Sequence, residues 1–230
     1  MYVLSTSSAC VSSPGRNSIS ATMAFELARH GHHISEALSS LGNVTVLPLD
    51  VADTASVAAA AQTVAEAGRG LDVLVNNAGI ECVQPVLDVN ITTAQRIFDI
   101  NLWGPLRTIW AFADLLIASR GCIVNVSSSA SVTNSPWVWV GKATYAASKA
   151  GLNIVSETLR LELAPFGLGV IAILPGAIDS KLHLNNGTNF DIPPTSRYVA
   201  IKDISKDSLS AEKFVQLVLD DVIGTKKGGG

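Results

Sequence analysis

Short aliphatic runs alternate along the chain with longer stretches in which apolar positions recur at helical spacing. The runs Tyr2-Val3-Leu4, Val44-Thr45-Val46-Leu47-Pro48-Leu49, Leu71-Asp72-Val73-Leu74-Val75, Cys122-Ile123-Val124-Asn125-Val126 and Val170-Ile171-Ala172-Ile173-Leu174 predict strands. Most read as continuous hydrophobic stretches rather than alternating ones, as strands covered on both faces do. Between them, Thr22 to His30, Thr92 to Leu102 continuing past Gly104 to Ala118, Ala143 to Ala164 and Ala211 to Val222 predict helices. A further helix follows the capping pair Asp53-Thr54, with Val57, Ala60, Ala61, Val64 and Ala65 on one face. Strands separated by helices of this length imply right-handed βαβ crossovers, and so an α/β fold with one doubly wound parallel sheet. Ligands of such sheets sit beyond the carboxyl ends of the strands. Asp50, Asn76-Asn77, Ser127-Ser128 and Pro175-Gly176 each follow a strand at that end.

Composition narrows the class. A chain of 230 residues suits one domain, and the pattern assigns 1–224 to it and 225–230, Lys- and Gly-rich, to a disordered tail. Hydrophobic residues make up 48% and charged ones 15%, in keeping with a sheet buried on both sides. The net charge is −3 and the longest basic run is Lys226-Lys227, so nucleic acid is not an expected partner. Cys10, Cys82 and Cys122 fall in no metal-ligand or redox spacing, which predicts reduced structural thiols and no bound metal. No secretory leader is recognisable at the start, and no stretch approaches the ~18 apolar residues of a membrane span. A cytoplasmic protein without an integral membrane segment is expected.

Tyr145-Ala-Ala-Ser-Lys149 puts a phenol and an ammonium one helical turn apart on the same face. An unperturbed tyrosine, with pKa about 10, moves protons poorly at neutral pH. A neighbouring cation favours the phenolate, and the spacing therefore predicts a lowered pKa for Tyr145. Alone this pair is a weak signal, because most such pairs lie on ordinary helix surfaces.

Further motifs appear in one order along the chain, and with them it resembles the short-chain dehydrogenase/reductase family, a Rossmann-like fold, over roughly residues 40 to 220. Asn76-Asn77-Ala78-Gly79 is similar to the family's turn beside the cofactor. Asp50 resembles the acid that meets the adenine amino group, and Asn101 the asparagine that holds a proton-relay water. Ser128 and Tyr145 match the catalytic serine and tyrosine, Lys149 the lysine that also binds the nicotinamide ribose, and Pro175-Gly176 the turn beside the nicotinamide. The resemblance implies a cofactor site of Gly15, Asp50, Asn77, Ala78, Gly79, Tyr145, Lys149, Pro175, Gly176, Ile178 and Ser180. It implies an oxidoreductase that transfers hydride between a nicotinamide cofactor and a small carbonyl or alcohol substrate, with NADP(H) favoured over NAD(H). Two stretches, Leu41 to Val51 and Phe190 to Tyr198, are most similar to fungal NADPH-dependent 1-acyl-dihydroxyacetone-phosphate reductase-like proteins. That points to lipid or secondary-metabolite biosynthesis and leaves open a peripheral association with endoplasmic reticulum or lipid droplets. The helices 92–118 and 143–164 resemble those through which the family forms homo-oligomers.

Four departures from the pattern keep alternatives open. In the glycine-rich turn after the first strand only Gly15 remains, with Ser18 and Ser20 where the last two glycines belong. After His30-Gly31-His32-His33-Ile34, on the order of ten residues of a full βαβ unit are missing. Ser128 and Tyr145 lie 17 positions apart, about four more than the family has. The excess falls in Trp137-Val138-Trp139-Val140-Gly141-Lys142, so that Ser127, Ser129 or Ser131 competes with Ser128 for the catalytic role, and Trp137 and Trp139 for contact with substrate. The resembling proteins also continue further, so the fold expected is a Rossmann-like domain with a degraded first βαβ unit and a truncated C-terminus. The two competing readings are a redox-silent dehydratase, isomerase or cyclase on the same fold, and a non-catalytic remnant.

Overall fold

Parallel pairing brings the aliphatic runs together in the order in which they occur in the chain. The structure, a computed structural model, describes residues 2–5, 47–68, 70–82, 84–133, 142–176, 178–179, 194–196 and 209–210. Among these, β1 (Tyr2–Ser5), β2 (Val73–Asn76), β3 (Cys122–Val126) and β4 (Gly169–Ile173) form one all-parallel sheet in that order. The register aligns Val3, Leu74, Ile123 and Val170 across the sheet, and Ser5, Asn76, Asn125 and Ala172 at its carboxyl edge. A separate two-residue parallel pair joins β5 (Ile178–Asp179) to β6 (Leu209–Ser210).

Four α-helices are described. In α1 (Thr54–Glu66) the Asp53 carboxylate accepts the Ala55 N–H at 2.9 Å, satisfying one of the free donors of the first turn. In α2 (Ile91–Phe98) the Asn90 side chain accepts from Thr92 and Thr93 in the same way. A single π-helical turn, Asp99–Trp103, leads without a break into α3 (Gly104–Ser119). The catalytic candidates Tyr145 and Lys149 lie on α4 (Ala143–Leu163).

One apolar cluster holds these layers together. Ala61 and Val64 of α1 and Ile109, Phe112 and Leu116 of α3 pack on Leu74, Ile123 and Val170 of the sheet, and Leu159 and Leu163 of α4 join its rim. Leu74, Phe112, Leu116 and Ile123 are fully buried; each such side chain contributes about 1.5–3 kcal/mol of transfer free energy.

The helix expected from Thr92 past Gly104 to Ala118 is found, with the π-turn where α2 passes into α3. A Cβ on Gly104 would lie 2.8 Å from the Val51 side chain, so glycine there permits close packing. Two expectations shift. Of the strand expected over Val44–Leu49, the described part, Leu47 to Leu49, pairs with none of the described strands; Pro48 brings no N–H to a ladder. Leu47 and Leu49 instead cover the core from its edge. The strand expected from Leu71 begins at Val73, and Leu71 is completely buried beneath α3, with its carbonyl accepting from Ser119. The helices expected over 22–30 and 211–222, and the tail 225–230, lie outside the described residues, as do the shortened second strand and the glycine-poor turn.

Candidate active site

The site lies where β2, β3 and β4 end. Past β3, the Ser127 N–H donates to the Ile173 carbonyl at 2.7 Å and the Ser129 N–H to the Pro175 carbonyl at 2.8 Å, so the turn after β3 is stitched to Pro175. Ser128 between them is extended, and its hydroxyl oxygen caps a short 3-10 turn, Ser129–Ser131, by accepting the Ala130 N–H at 3.2 Å. The same hydroxyl shares a side-chain hydrogen bond with Tyr145. Two of the three competing serines, Ser127 and Ser131, are engaged elsewhere. Ser127 Oγ donates to the Lys149 carbonyl at 3.1 Å, and Ser131 Oγ donates to the Ser128 carbonyl while accepting from Asn153.

On α4, Tyr145 and Lys149 are both buried, 6% and 4% exposed. Lys149 Nζ donates to the Val126 carbonyl at 2.7 Å, which pins the ammonium to the end of β3. The third element is the π-turn. Asn101 is fully buried; its Nδ2 donates to the Ile80 carbonyl at 2.8 Å and to Ser148 Oγ at 3.0 Å, and its Oδ1 accepts the Ile80 N–H at 2.9 Å. A π-turn displaces one residue out of α-helical register, a device common at functional sites. Here it carries the side chain that clamps the turn after β2. Ser148 completes the link by donating to the Tyr145 carbonyl at 2.7 Å.

Gly79 sits between these groups: a Cβ there would be 3.4 Å from Asn101 Oδ1 and 3.5 Å from Lys149 Nζ. Gly79, Asn101, Ser128, Tyr145 and Lys149, from positions far apart in the chain, are therefore gathered into one place, with Pro175 tied in through Ser129. Ala78 is buried beside Val51 and Ile100, and Asn77 is half-buried. Gly176 is exposed, with nothing within 4 Å of where its Cβ would stand. Asp50 stands apart, exposed before α1, its Oδ1 accepting the Ala52 N–H at 2.9 Å. Ile178 opens β5. Gly15, Ser180, Trp137 and Trp139 lie outside the described residues.

The electrostatics reverse one expectation. Burial pushes the Tyr145 phenol up to about 12; the hydrogen bond from Ser128 works the other way, and the Glu81 carboxylate adds to the rise. Burial also brings the Lys149 ammonium down to about 8. The lowered tyrosine pKa expected from a neighbouring lysine is not found: desolvation, which disfavours whichever form is charged, is the largest cause, and Lys149 is not among the groups that shift the phenol. Cys82 and Cys122 are free thiols held protonated by burial. Among the described residues no cluster of three metal-ligating side chains occurs.

Sequence reasoning missed a pair beside this group. Lys142 Nζ and Glu81 Oε2 form an ion pair at 2.9 Å with side chains only 8% and 2% exposed. The signal available was an isolated acid, Glu81, in the apolar stretch just after Asn76-Asn77-Ala78-Gly79.

Residues 14–189 match the family model for short chain dehydrogenases. The chain belongs to the short-chain dehydrogenase/reductase family. It is 40% identical over 201 residues to the short-chain dehydrogenase ptmH of Penicillium ochrochloron, a match spanning 83% of this chain and 72% of that one. It is 38% identical over 176 residues to the NADPH-dependent 1-acyldihydroxyacetone phosphate reductase of Schizosaccharomyces pombe, spanning 74% of this chain and 58% of the relative. Its fold is similar to that of a Burkholderia cenocepacia short chain dehydrogenase solved in complex with NADP, with a TM-score of 0.74 at 24% identity, covering 100% of this chain and 85% of the other. The expected Rossmann-like fold and family are thus borne out, and the protein is an oxidoreductase acting on CH–OH groups.

Proposed function

We propose that the protein interconverts a small or medium-sized apolar ketone and its alcohol with NADP(H), as a biosynthetic reductase of lipid or secondary metabolism. The observation that carries this reading is the Tyr145 hydroxyl, bonded to Ser128 and one helical turn from the buried cation of Lys149. NADP(H) rather than NAD(H) is supported by the NADPH-dependent relative and by the NADP-bound structure of similar fold.

The residues present fit a nicotinamide cofactor. Lys149 is a buried ammonium whose acceptor among the described residues is one main-chain carbonyl, which leaves N–H donors for a pair of ribose hydroxyls. Gly79 and Gly176 keep main chain open to close approach on either side. Asn77, Ala78 and Pro175 follow the ends of β2 and β4, and Asp50 toward the adenine, Ile178, Gly15 and Ser180 are assigned by resemblance to the family. When bound, the nicotinamide supplies or receives the hydride.

The protein's own part is positioning and proton transfer. Ser128 hydrogen-bonds the substrate oxygen and orients it toward Tyr145. Tyr145, held protonated at neutral pH by its burial, gives its proton to that oxygen during reduction and receives one during oxidation. Lys149 supplies positive charge beside the phenolate that this leaves behind. Asn101 has spent both amide donors on Ile80 and Ser148, so acceptor oxygens are what it can offer a relay water. Exposed Trp110, Ile154 and Leu161 on α3 and α4 support a homo-oligomer. No helix among the described residues is long and apolar enough to cross a membrane.

Titration with NADPH and then NADH, followed by nicotinamide fluorescence, tests the proposal. Saturable binding with NADPH tighter is expected. No binding of either at roughly millimolar cofactor, the upper end of ordinary KM values, overturns it and leaves the redox-silent and non-catalytic readings.

A further inference from the structure

Glu81 and Lys142 are the buried ion pair nearest the proposed chemistry. Glu81 lies two positions after Gly79 and one after Ile80, whose N–H and carbonyl are both held by Asn101. Lys142 is the residue at the amino end of α4; its carbonyl accepts the Ala146 N–H at 2.8 Å and opens the first turn, three positions before Tyr145. The 2.9 Å contact therefore joins the turn after β2 to the start of the helix that carries the phenol. Stability alone does not account for it. Burying two charges costs more than their attraction commonly returns, and apolar residues of the same volume often serve as well. A cation at the amino end of a helix also opposes the helix dipole. A costly charged pair beside the proton carrier calls for a role there.

We propose that Glu81 and Lys142 are positioning residues for the reaction: the pair seats the amino end of α4 against the turn after β2, and its carboxylate sets the field at the Tyr145 hydroxyl. This rests on the reading of Tyr145 as the proton carrier. Glu81 is the charged group whose effect reaches the phenol, and it favours the protonated form. Among the described residues, Ser128 bonds the hydroxyl from the turn after β3, Glu81 acts on it from the turn after β2, and Lys142 and Lys149 precede and follow Tyr145 in the chain by three and four positions. The Cys82 thiol follows Glu81 in the chain, and Asp99 on the π-turn is paired with Arg107. The Glu81 carboxylate thus adds to the effect of burial in favouring the protonated phenol. Lys142 holds that carboxylate in place.

The test reads the phenol directly and needs no substrate. Full-length protein labelled with fluorotyrosine is titrated by fluorine NMR, the Tyr145 resonance being the one lost in Tyr145→Phe. Glu81→Gln is expected to move the Tyr145 midpoint down by about one pH unit, the scale on which a single close charge acts. Lys142→Gln, which leaves the carboxylate uncompensated, is expected to move it up. Opposite signs are required, because a merely structural pair would disturb the site in the same sense from either side. The double variant Glu81→Met/Lys142→Met keeps volume and removes both charges; it folds and moves the midpoint down. Midpoints that overlay the wild type, or singles that shift together, overturn the proposal. Should a single variant fail to fold, the double variant decides: an unshifted midpoint overturns, and a lowered one supports. NADPH-linked reduction of phenanthrenequinone by Tyr145→Phe is measured alongside. Undiminished turnover there refutes Tyr145 as proton carrier, whereas the NMR midpoints judge the pair independently.

Discussion

Two buried polar clusters meet on α4, and they are built on opposite principles. Seven residues past Lys149, Ser156 belongs to a neutral chain that crosses the sheet. Thr108 donates to Asn76 Oδ1 at 2.6 Å, Asn76 Nδ2 donates to Asn125 Oδ1 at 2.9 Å, Asn125 Nδ2 donates to Ser156 Oγ at 2.9 Å, and Ser156 donates to the Leu152 carbonyl. All four side chains are almost wholly buried, and no charge is involved. One helical turn or two toward the amino end, the second cluster holds a buried ammonium, a phenol and an ion pair; among the described residues the ammonium donates to one carbonyl and the phenol bonds one serine. A neutral network with every member satisfied fastens helices to strands. Buried charges with donors to spare cost stability, and such costs collect at sites that bind and react. The contrast separates what holds the fold from what is kept ready for a ligand.

The sharpest way to test the contrast is to remove the phenol's proton. Tyr145→Phe is expected to lower turnover by roughly 10²–10⁴-fold, the range for loss of a general acid, with the melting temperature nearly unchanged. Next, Ser128→Ala should cost on the order of 10²-fold in kcat, as loss of one preorganised donor does. Ser127→Ala and Ser131→Ala, whose hydroxyls serve main-chain carbonyls, should cost far less. An equal loss in all three serine variants would erase the distinction between Ser128 and its neighbours.

The neutral cluster should respond in the other coordinate. Thr108→Val keeps shape but strands Asn76 Oδ1, and a loss of about 1–3 kcal/mol is expected in denaturant unfolding, with kcat per folded molecule retained. The smallest effect carries the most informative sign. Lys149→Met should abolish most activity yet leave the cofactor-free protein at pH 7 as stable as wild type or more so, by no more than about 1 kcal/mol once the bond to Val126 is discounted. The Lys149 pKa falls from 10.5 to about 8 on folding, so between those values the unfolded chain binds more protons and wild-type stability rises with pH. The gap between variant and wild type should therefore narrow from pH 8 upward, as read by unfolding at a series of pH values. A gap that widens would mean the ammonium is stabilised where it lies.

Much of this was legible without coordinates. Unbroken aliphatic runs marked β2, β3 and β4 to within two residues, because a strand covered on both faces has no polar side to blur it. Asp53 before Thr54 marked the start of α1, since capping is settled within one turn. Tyr145 and Lys149 declared a shared helical face by spacing alone. Less local facts were not legible. Leu47 and Leu49 have strand-like composition yet pair with none of the described strands, because pairing depends on a neighbour the run does not contain. Nor was the reason for Gly104, which is the close approach of Val51, more than fifty positions away.

Elements, their order and the residues able to do chemistry were thus determined by the chain's own pattern, through periodicity and side-chain type, which act over a few neighbouring positions. Tertiary structure alone decided that Ser128 rather than Ser127 or Ser131 meets Tyr145, that Asn101 rides a π-turn, and that Glu81 finds Lys142. It decided the direction of the phenol's pKa as well, raised by burial where spacing had argued for a fall. Each depends on how much water and which charges distant segments leave around a group once packed, and no local stretch of sequence carries that information.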